Sequence, residues 1–205
     1  PVIGINPEPD RNPGVLVAHP PEAIGDLLGT ANSSRHIQAR TMVRATTDDG
    51  QTLLALNEIY LGHGTHQSAR YRIEVPGSGH DRQSSSGILV GTGTGATGWC
   101  RSVWLERGSA LELPGPEQAG LCWFVREAWP SPATGPTLTE GTLGADHCLV
   151  VVAESDLVLF GDGIESDAIA LGWGQAVTIS IARSPSACWR SARRMVWPMW
   201  STKAR

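Results

Sequence analysis

Lysine is nearly absent. Among 205 residues only Lys203 is a lysine, third from the end. A P-loop, a protein-kinase strand lysine and a Schiff-base lysine each need an internal lysine, so those chemistries are set aside. Cysteine is sparse as well: Cys100, Cys122, Cys148 and Cys188 lie far apart with no C-x-x-C spacing, so neither a zinc ribbon nor a thioredoxin motif follows. No stretch approaches the ~18 uninterrupted apolar residues of a spanning helix. The start, PVIGINPEPD, has neither a basic segment nor an apolar one of the kind that targets secretion. A cytoplasmic protein with reduced thiols and no membrane partner is expected. Basic residues are also few, 16 against 20 acidic ones for a net charge of −4, which argues against a general nucleic-acid or anionic-membrane binder.

Turn residues, in contrast, are abundant. The chain has 24 glycines and 14 prolines beside an ordinary 40% apolar content, the composition of short strands joined by tight turns. Charge is placed unevenly. From residue 183 onward there are six basic residues and no acidic one, with Trp189, Trp197 and Trp200, which leaves −10 on the preceding 182. We expect one domain over 1–182, followed by a basic, tryptophan-bearing, poorly ordered tail over 183–205.

Period-2 alternation dominates that domain. In ARYRIEV, Tyr71, Ile73 and Val75 share one face and Arg70, Arg72 and Glu74 the other; AVTISIA repeats the pattern with Val177, Ile179 and Ile181. MVRATT and QTLLALNEIYL read as two strands around an Asp49-Gly50 turn. SGILVG, AGLCWFVREA, CLVVVAE and DLVLF are further strands, the last two joined by a short turn near Ser155. Only PEAIGDLLG and TGWCRSVWLERG look helical. The prediction is a mainly β domain of about nine to eleven strands with one or two short helices.

Two stretches carry chemistry. SSSGILVGTGTGATGW, residues 84–99, runs an apolar strand into a loop of alternating glycine and threonine and then into a helix start. Backbone N–H groups, small hydroxyls and a helix N-terminus in one place suit a nucleotide or phosphate. Gly93, Gly95 and Gly98 also match G-x-G-x-x-G, yet the surrounding segments read β–β rather than the strand–helix–strand order of a Rossmann unit. The second stretch is Asn57-Glu58, an amide and a carboxylate inside an otherwise apolar strand. Alternation turns one of them inward, at a cost of about 1–3 kcal/mol unless a partner meets it. A ribose or adenine would be such a partner; a strand end open to water is the plainer account. His63 and His66 lack a third zinc ligand nearby and read as loop residues. Arg101, just after the loop, is a candidate phosphate contact, whereas Arg70 and Arg72 read as a solvated strand face.

Taken in order, GIN at 4–6, the RTMVRA strand, ALNEIYLG at 55–62, SGILVGTGTGATGW at 86–99 and a late strand–turn–strand around Gly161-Asp162-Gly163 resemble the NAD kinase family from Gly4 to about Ala182. The resemblance implies a β-sandwich-like NAD-binding domain that works as a homo-oligomer. It implies phosphoryl transfer from ATP, with Mg²⁺, to the adenosine 2′-OH of NAD to give NADP. Asn57 and Glu58 would meet the adenosine part near that hydroxyl. Thr94, Thr97, Gly98, Trp99 and Ser102 would contact the dinucleotide, with Trp99 where the family more often has Tyr, a ring without a hydroxyl. Ser86-Gly87 stands where the family often has Asp-Gly, which removes a charged contact to a neighbouring subunit.

One family element is missing from this sequence. No Gly-Gly-Asp-Gly-Thr motif precedes Asn57, and Gly161-Asp162-Gly163-Ile164, far downstream and without the threonine, reads as a hairpin turn. We therefore expect the family's NAD-binding part without its catalytic half, in a chain that begins on Pro1 and is expected to be truncated or processed. The alternatives are a kinase of another hydroxyl, on a lipid or a sugar, and a non-catalytic nucleotide-binding module.

Overall fold

The alternation seen in the sequence becomes burial in the computed structural model, which describes residues 2–11, 14–30, 38–132, 134 and 136–182. Tyr71, Ile73 and Val75 point inward from β4 (Ala69–Val75), and Val177, Ile179 and Ile181 from β12 (Ala176–Ile181). These strands belong to a six-stranded sheet. Its order is β2 (Thr52–Ala55), β1 (Val43–Thr47), β12, β9 (Cys148–Ala153), β4, β5 (Gly79–Ser85). A second sheet runs β11 (Ile164–Leu171), β10 (Leu157–Gly161), β3 (Glu58–Gly62), β6 (Gly87–Thr92), β7 (Leu121–Arg126), β8 (Glu140–Leu143). Every pairing in both sheets is antiparallel, which is incompatible with the parallel strand–helix–strand order of a Rossmann unit.

The inner faces of the two sheets meet in one apolar core that includes Val43, Tyr71, Leu149 and Ile179 from the first and Ile59, Leu61, Val90, Trp123 and Leu159 from the second. This is a β-sandwich. Each large side chain buried there contributes about 1.5–3 kcal/mol. The described chain holds two α-helices, α1 (Ile24–Thr30), preceded by a 3-10 turn from Pro21, and α2 (Trp99–Arg107), the two helical stretches expected. No helix among the described residues is long and apolar enough to cross a membrane.

Two details correct the sequence reading. Among the described residues there are twelve strands, because two polar ones escaped the apolar pattern. One is β5, whose inward residues are Gln83 and Ser85 and which is held to β4 by the Tyr71 hydroxyl, 3.3 Å from Gln83 Oε1 and 2.6 Å from Ser85 Oγ. The other is the short edge strand β8. QTLLALNEIYL is two strands: β2 ends in the first sheet at Ala55 and β3 begins in the second at Glu58, with Leu56 and Asn57 crossing between the layers. The turn near Ser155 likewise carries the chain from one sheet to the other, so β9 and β10 do not pair. At the end of the domain Ala182 N donates to Met42 O at 2.8 Å; the tail expected over 183–205 lies outside the described residues.

α2 covers the outer face of the second sheet. A second, smaller core forms beneath it from Leu89, Cys122 and Phe124 of the sheet and Cys100 and Val103 of the helix, so β6 is buried on both faces. The helix ends at Gly108, whose φ of 63° is the left-handed conformation that glycine adopts without strain.

Candidate functional site

The site grows from the crossover at Leu56-Asn57. A strand that leaves its sheet leaves amides without ladder partners, and buried amides must find acceptors. Here one carboxylate takes both: Asp162, in the β10–β11 turn, accepts from Leu56 N at 2.9 Å and Asn57 N at 2.6 Å. The carbonyls on the other side are taken by Thr92, the last residue of β6. Its Oγ1 donates to Leu56 O at 2.6 Å and its N–H to Asn57 O at 2.8 Å. The Thr92 hydroxyl also accepts from Thr94 N at 3.1 Å and Gly95 N at 3.3 Å, so one residue ties the crossover to the Gly-Thr loop.

That contact explains why glycine stands at position 95. A Cβ there would lie 2.2 Å from the Asn57 carbonyl oxygen and 3.1 Å from Glu58 Oε2, and backbone cannot yield such room. The loop continues as a 3-10 turn over Gly95–Thr97. Thr97 N and Oγ1 both donate to Thr94 O, at 3.1 and 2.8 Å, and Gly98 N donates to Gly95 O at 2.9 Å. The amides of Thr94, Gly95, Thr97 and Gly98 are therefore used within the loop. The expectation that these N–H groups face a phosphate is corrected for these four: a tight loop turns amides onto its own acceptors.

What is left for a ligand is side chains. Glu58 is 9% exposed, and no hydrogen bond or ion pair from the described residues reaches its carboxyl. Burial, reinforced by the Asp162 charge, pushes it up to about 7. Thr94 is 3% exposed, and its Oγ1 has no hydrogen-bond partner among the described residues. The Asn57 side chain is half-buried and makes no hydrogen bond within the described residues. A buried hydroxyl and a buried carboxyl without partners are costly to the fold and are the usual mark of a place where something else binds.

The predicted residues fall into two groups. Asn57, Glu58 and Thr94 are brought together through Thr92 and Gly95. Trp99 joins them at one remove. Its ring stacks on Tyr60, the next outward residue of β3 after Glu58, with centroids 5.7 Å apart and 15° between planes, while the Arg126 guanidinium lies 5.5 Å from the Trp99 ring. Thr97, Gly98 and Ser102 are exposed along the loop and the first turn of α2; Ser102 Oγ donates to Gly98 O at 3.4 Å, and no contact links these three to Asn57 or Glu58. Arg101 is exposed. His63 Nδ1 accepts from Thr65 N at 3.1 Å, a loop contact. Arg72 pairs with Glu154 at 3.4 Å on the outer face of the first sheet.

Sequence reasoning missed Thr92, Tyr60 and the carboxylate of Asp162. The turn at Gly161-Asp162-Gly163 is a hairpin, as expected, with φ of 54° at Asp162 and 72° at Gly163. The signal for its second role was the polar pair inside an apolar run, which marks a chain changing layers and amides in need of an acceptor. No protein-family model and no curated protein matches this chain.

Proposed function

We propose that this chain binds NAD and serves as the NAD-binding part of a kinase that phosphorylates the adenosine 2′-OH. The observation that carries this reading is the locking of the Leu56-Asn57 crossover against Thr92 at the root of the Gly-Thr loop, 36 residues on from Leu56, with Asn57, Glu58 and Thr94 side chains left without hydrogen-bond partners among the described residues. A carboxyl, an amide and a hydroxyl are the groups that recognise ribose hydroxyls and the adenine edge. Trp99, stacked on Tyr60, adds an aromatic platform beside them.

ATP and Mg²⁺ find no comparable fit. Among the described residues no group of three or more His, Cys, Asp and Glu side chains is arranged to hold a metal ion. Asp162, the acidic residue of the Gly-Asp-Gly turn, uses both carboxylate oxygens on the backbone of Leu56 and Asn57. That occupation favours, as a second reading, a nucleotide-binding module without chemistry of its own. The free thiols of Cys100 and Cys122 are in keeping with a reducing compartment, the cytoplasm, and β11, an exposed edge strand, offers an edge for self-association into a homo-oligomer.

Calorimetric titration of the folded chain with NAD tests the binding claim, and no heat of binding at millimolar NAD refutes it. An assay for NADP formation with ATP and Mg²⁺ separates the readings. We expect binding without turnover; sustained turnover would show that the catalytic groups are present after all.

A further inference from the structure

We propose that Asp162 is the positioning residue of this site: from the β10–β11 turn its carboxylate holds the crossover backbone and so sets the direction in which Asn57 and Glu58 present their side chains. The inference rests on the nucleotide reading above for what those side chains meet, but its geometry stands independently.

Three hydrogen bonds tie the turn to three consecutive residues. Asp162 accepts from Leu56 N and Asn57 N, and its own N–H donates to Glu58 O at 3.0 Å. No ladder supplies acceptors for the first two amides, because β2 has ended and β3 has not begun. The turn itself does not call for this side chain. With φ of 54°, position 162 would take glycine at less conformational cost, and Asp is tolerated there chiefly because its side chain is short and polar. The neighbouring Gly161 brings the turn close to the crossover, where a Cβ would lie 2.8 Å from Ala55 Cβ.

Electrostatics sharpen the assignment. The groups that act on or are acted on by Glu58 are Asp162 from the turn, Cys100 from α2 and Cys122 from β7, and none of them is a cation. A second carboxylate beside a buried one disfavours its ionised form, a cost set against the two backbone amides that Asp162 satisfies. Burial, with the Asp162 charge added to it, delays ionisation of Glu58 to about neutral pH. Below that pH the carboxyl can donate a hydrogen bond, and above it only accept, so Asp162 sets the direction of Glu58 and adds to the burial that sets the pH at which its hydrogen-bonding sense changes.

The test compares the wild-type chain with Asp162→Asn and Asp162→Ala. Asn tolerates the left-handed turn as Asp does, so D162N removes the charge while keeping the hairpin and one acceptor. Amide exchange at Leu56 and Asn57 and the titration of the Glu58 carboxyl are read by NMR, and NAD affinity is read by calorimetry across pH. We expect at least about tenfold faster exchange at both amides in D162A, and an acid shift of the Glu58 midpoint in both variants. About tenfold weaker NAD binding in D162N should accompany these, with its pH profile displaced in the same direction. Should D162A fail to fold, the D162N titration and affinity decide alone. Unmoved Glu58 titration together with unchanged NAD affinity in D162N overturns the proposal. Absence of NAD binding by the wild type, with the amide and Glu58 responses intact, refutes the nucleotide reading and leaves Asp162 as the residue that orients Glu58.

Discussion

Replacing Glu58 with glutamine should stabilise the protein at pH 8 and leave it unchanged at pH 4. The reasoning starts from the carboxyl itself, 9% exposed, without a hydrogen-bond donor among the described residues and lifted from 4.5 to about 7 by burial and by Asp162. At ~1.4 kcal/mol per pH unit, keeping this group ionised costs the folded state about 3 kcal/mol relative to the unfolded chain. The sign follows from the raised folded value. Below about pH 4.5 both states are protonated and nothing is lost; between 4.5 and about 7 the unfolded chain gives up the proton first, and stability falls with rising pH until the folded group has ionised too. The glutamine of E58Q never ionises, so the variant gains up to about 3 kcal/mol above pH 7, roughly 6–12 °C in Tm for a chain of this size. Scanning calorimetry of both proteins at pH 4 and pH 8 measures the difference. Nucleotide affinity should move the other way, falling about tenfold. An E58Q variant that is equally stable at pH 8, or less stable, would refute the picture of an unpaired buried carboxyl held for a ligand.

Thr94→Val removes a buried hydroxyl that has no partner among the described residues; it should raise stability by about 1 kcal/mol, read from a urea midpoint, while weakening NAD binding about tenfold. Asn57→Ala should weaken NAD binding by about 1–3 kcal/mol in a calorimetric titration, with thermal unfolding nearly unchanged because the side chain makes no hydrogen bond to the described residues. Gly95→Ala forces a Cβ against the Asn57 carbonyl and should cost about 1–3 kcal/mol in a denaturant titration, with loss of NAD binding as the loop separates from the crossover.

Much of the sandwich was legible because its inward faces are apolar. The alternation in β4 and β12 and the Asp49-Gly50 and Asp162-Gly163 turns each state a local preference that the fold keeps. β5 was illegible because its inward positions are Gln83 and Ser85, made tolerable by partners such as the Tyr71 hydroxyl on the neighbouring strand and the Leu138 carbonyl, twelve or more residues away. The break at Leu56-Asn57 was hidden for a related reason. An apolar run reads as one strand, and apart from the polar pair Asn57-Glu58 nothing local says that its halves face the same core from opposite layers. At the site, the sequence picked out Asn57, Glu58 and Thr94 by residue type. It could not show that the Gly-Thr loop turns amides onto its own acceptors, or that a turn 105 residues from Asn57 holds that residue's backbone. Both facts depend on which elements are neighbours in space.

The buried thiols give the molecule internal clocks. Cys100 and Cys122 lie in the small core beneath α2, whereas Cys148 sits in β9, inside the other sheet. A thiol reagent can reach the first pair when α2 lifts from the sheet, but it reaches Cys148 only when the first sheet itself opens. If closing is fast relative to modification, each labelling rate tracks the population of its own opening. Peptide-resolved mass spectrometry of the labelled chain would then measure, without any substitution, how independently the helix that follows the Gly-Thr loop can detach from the sandwich that carries it.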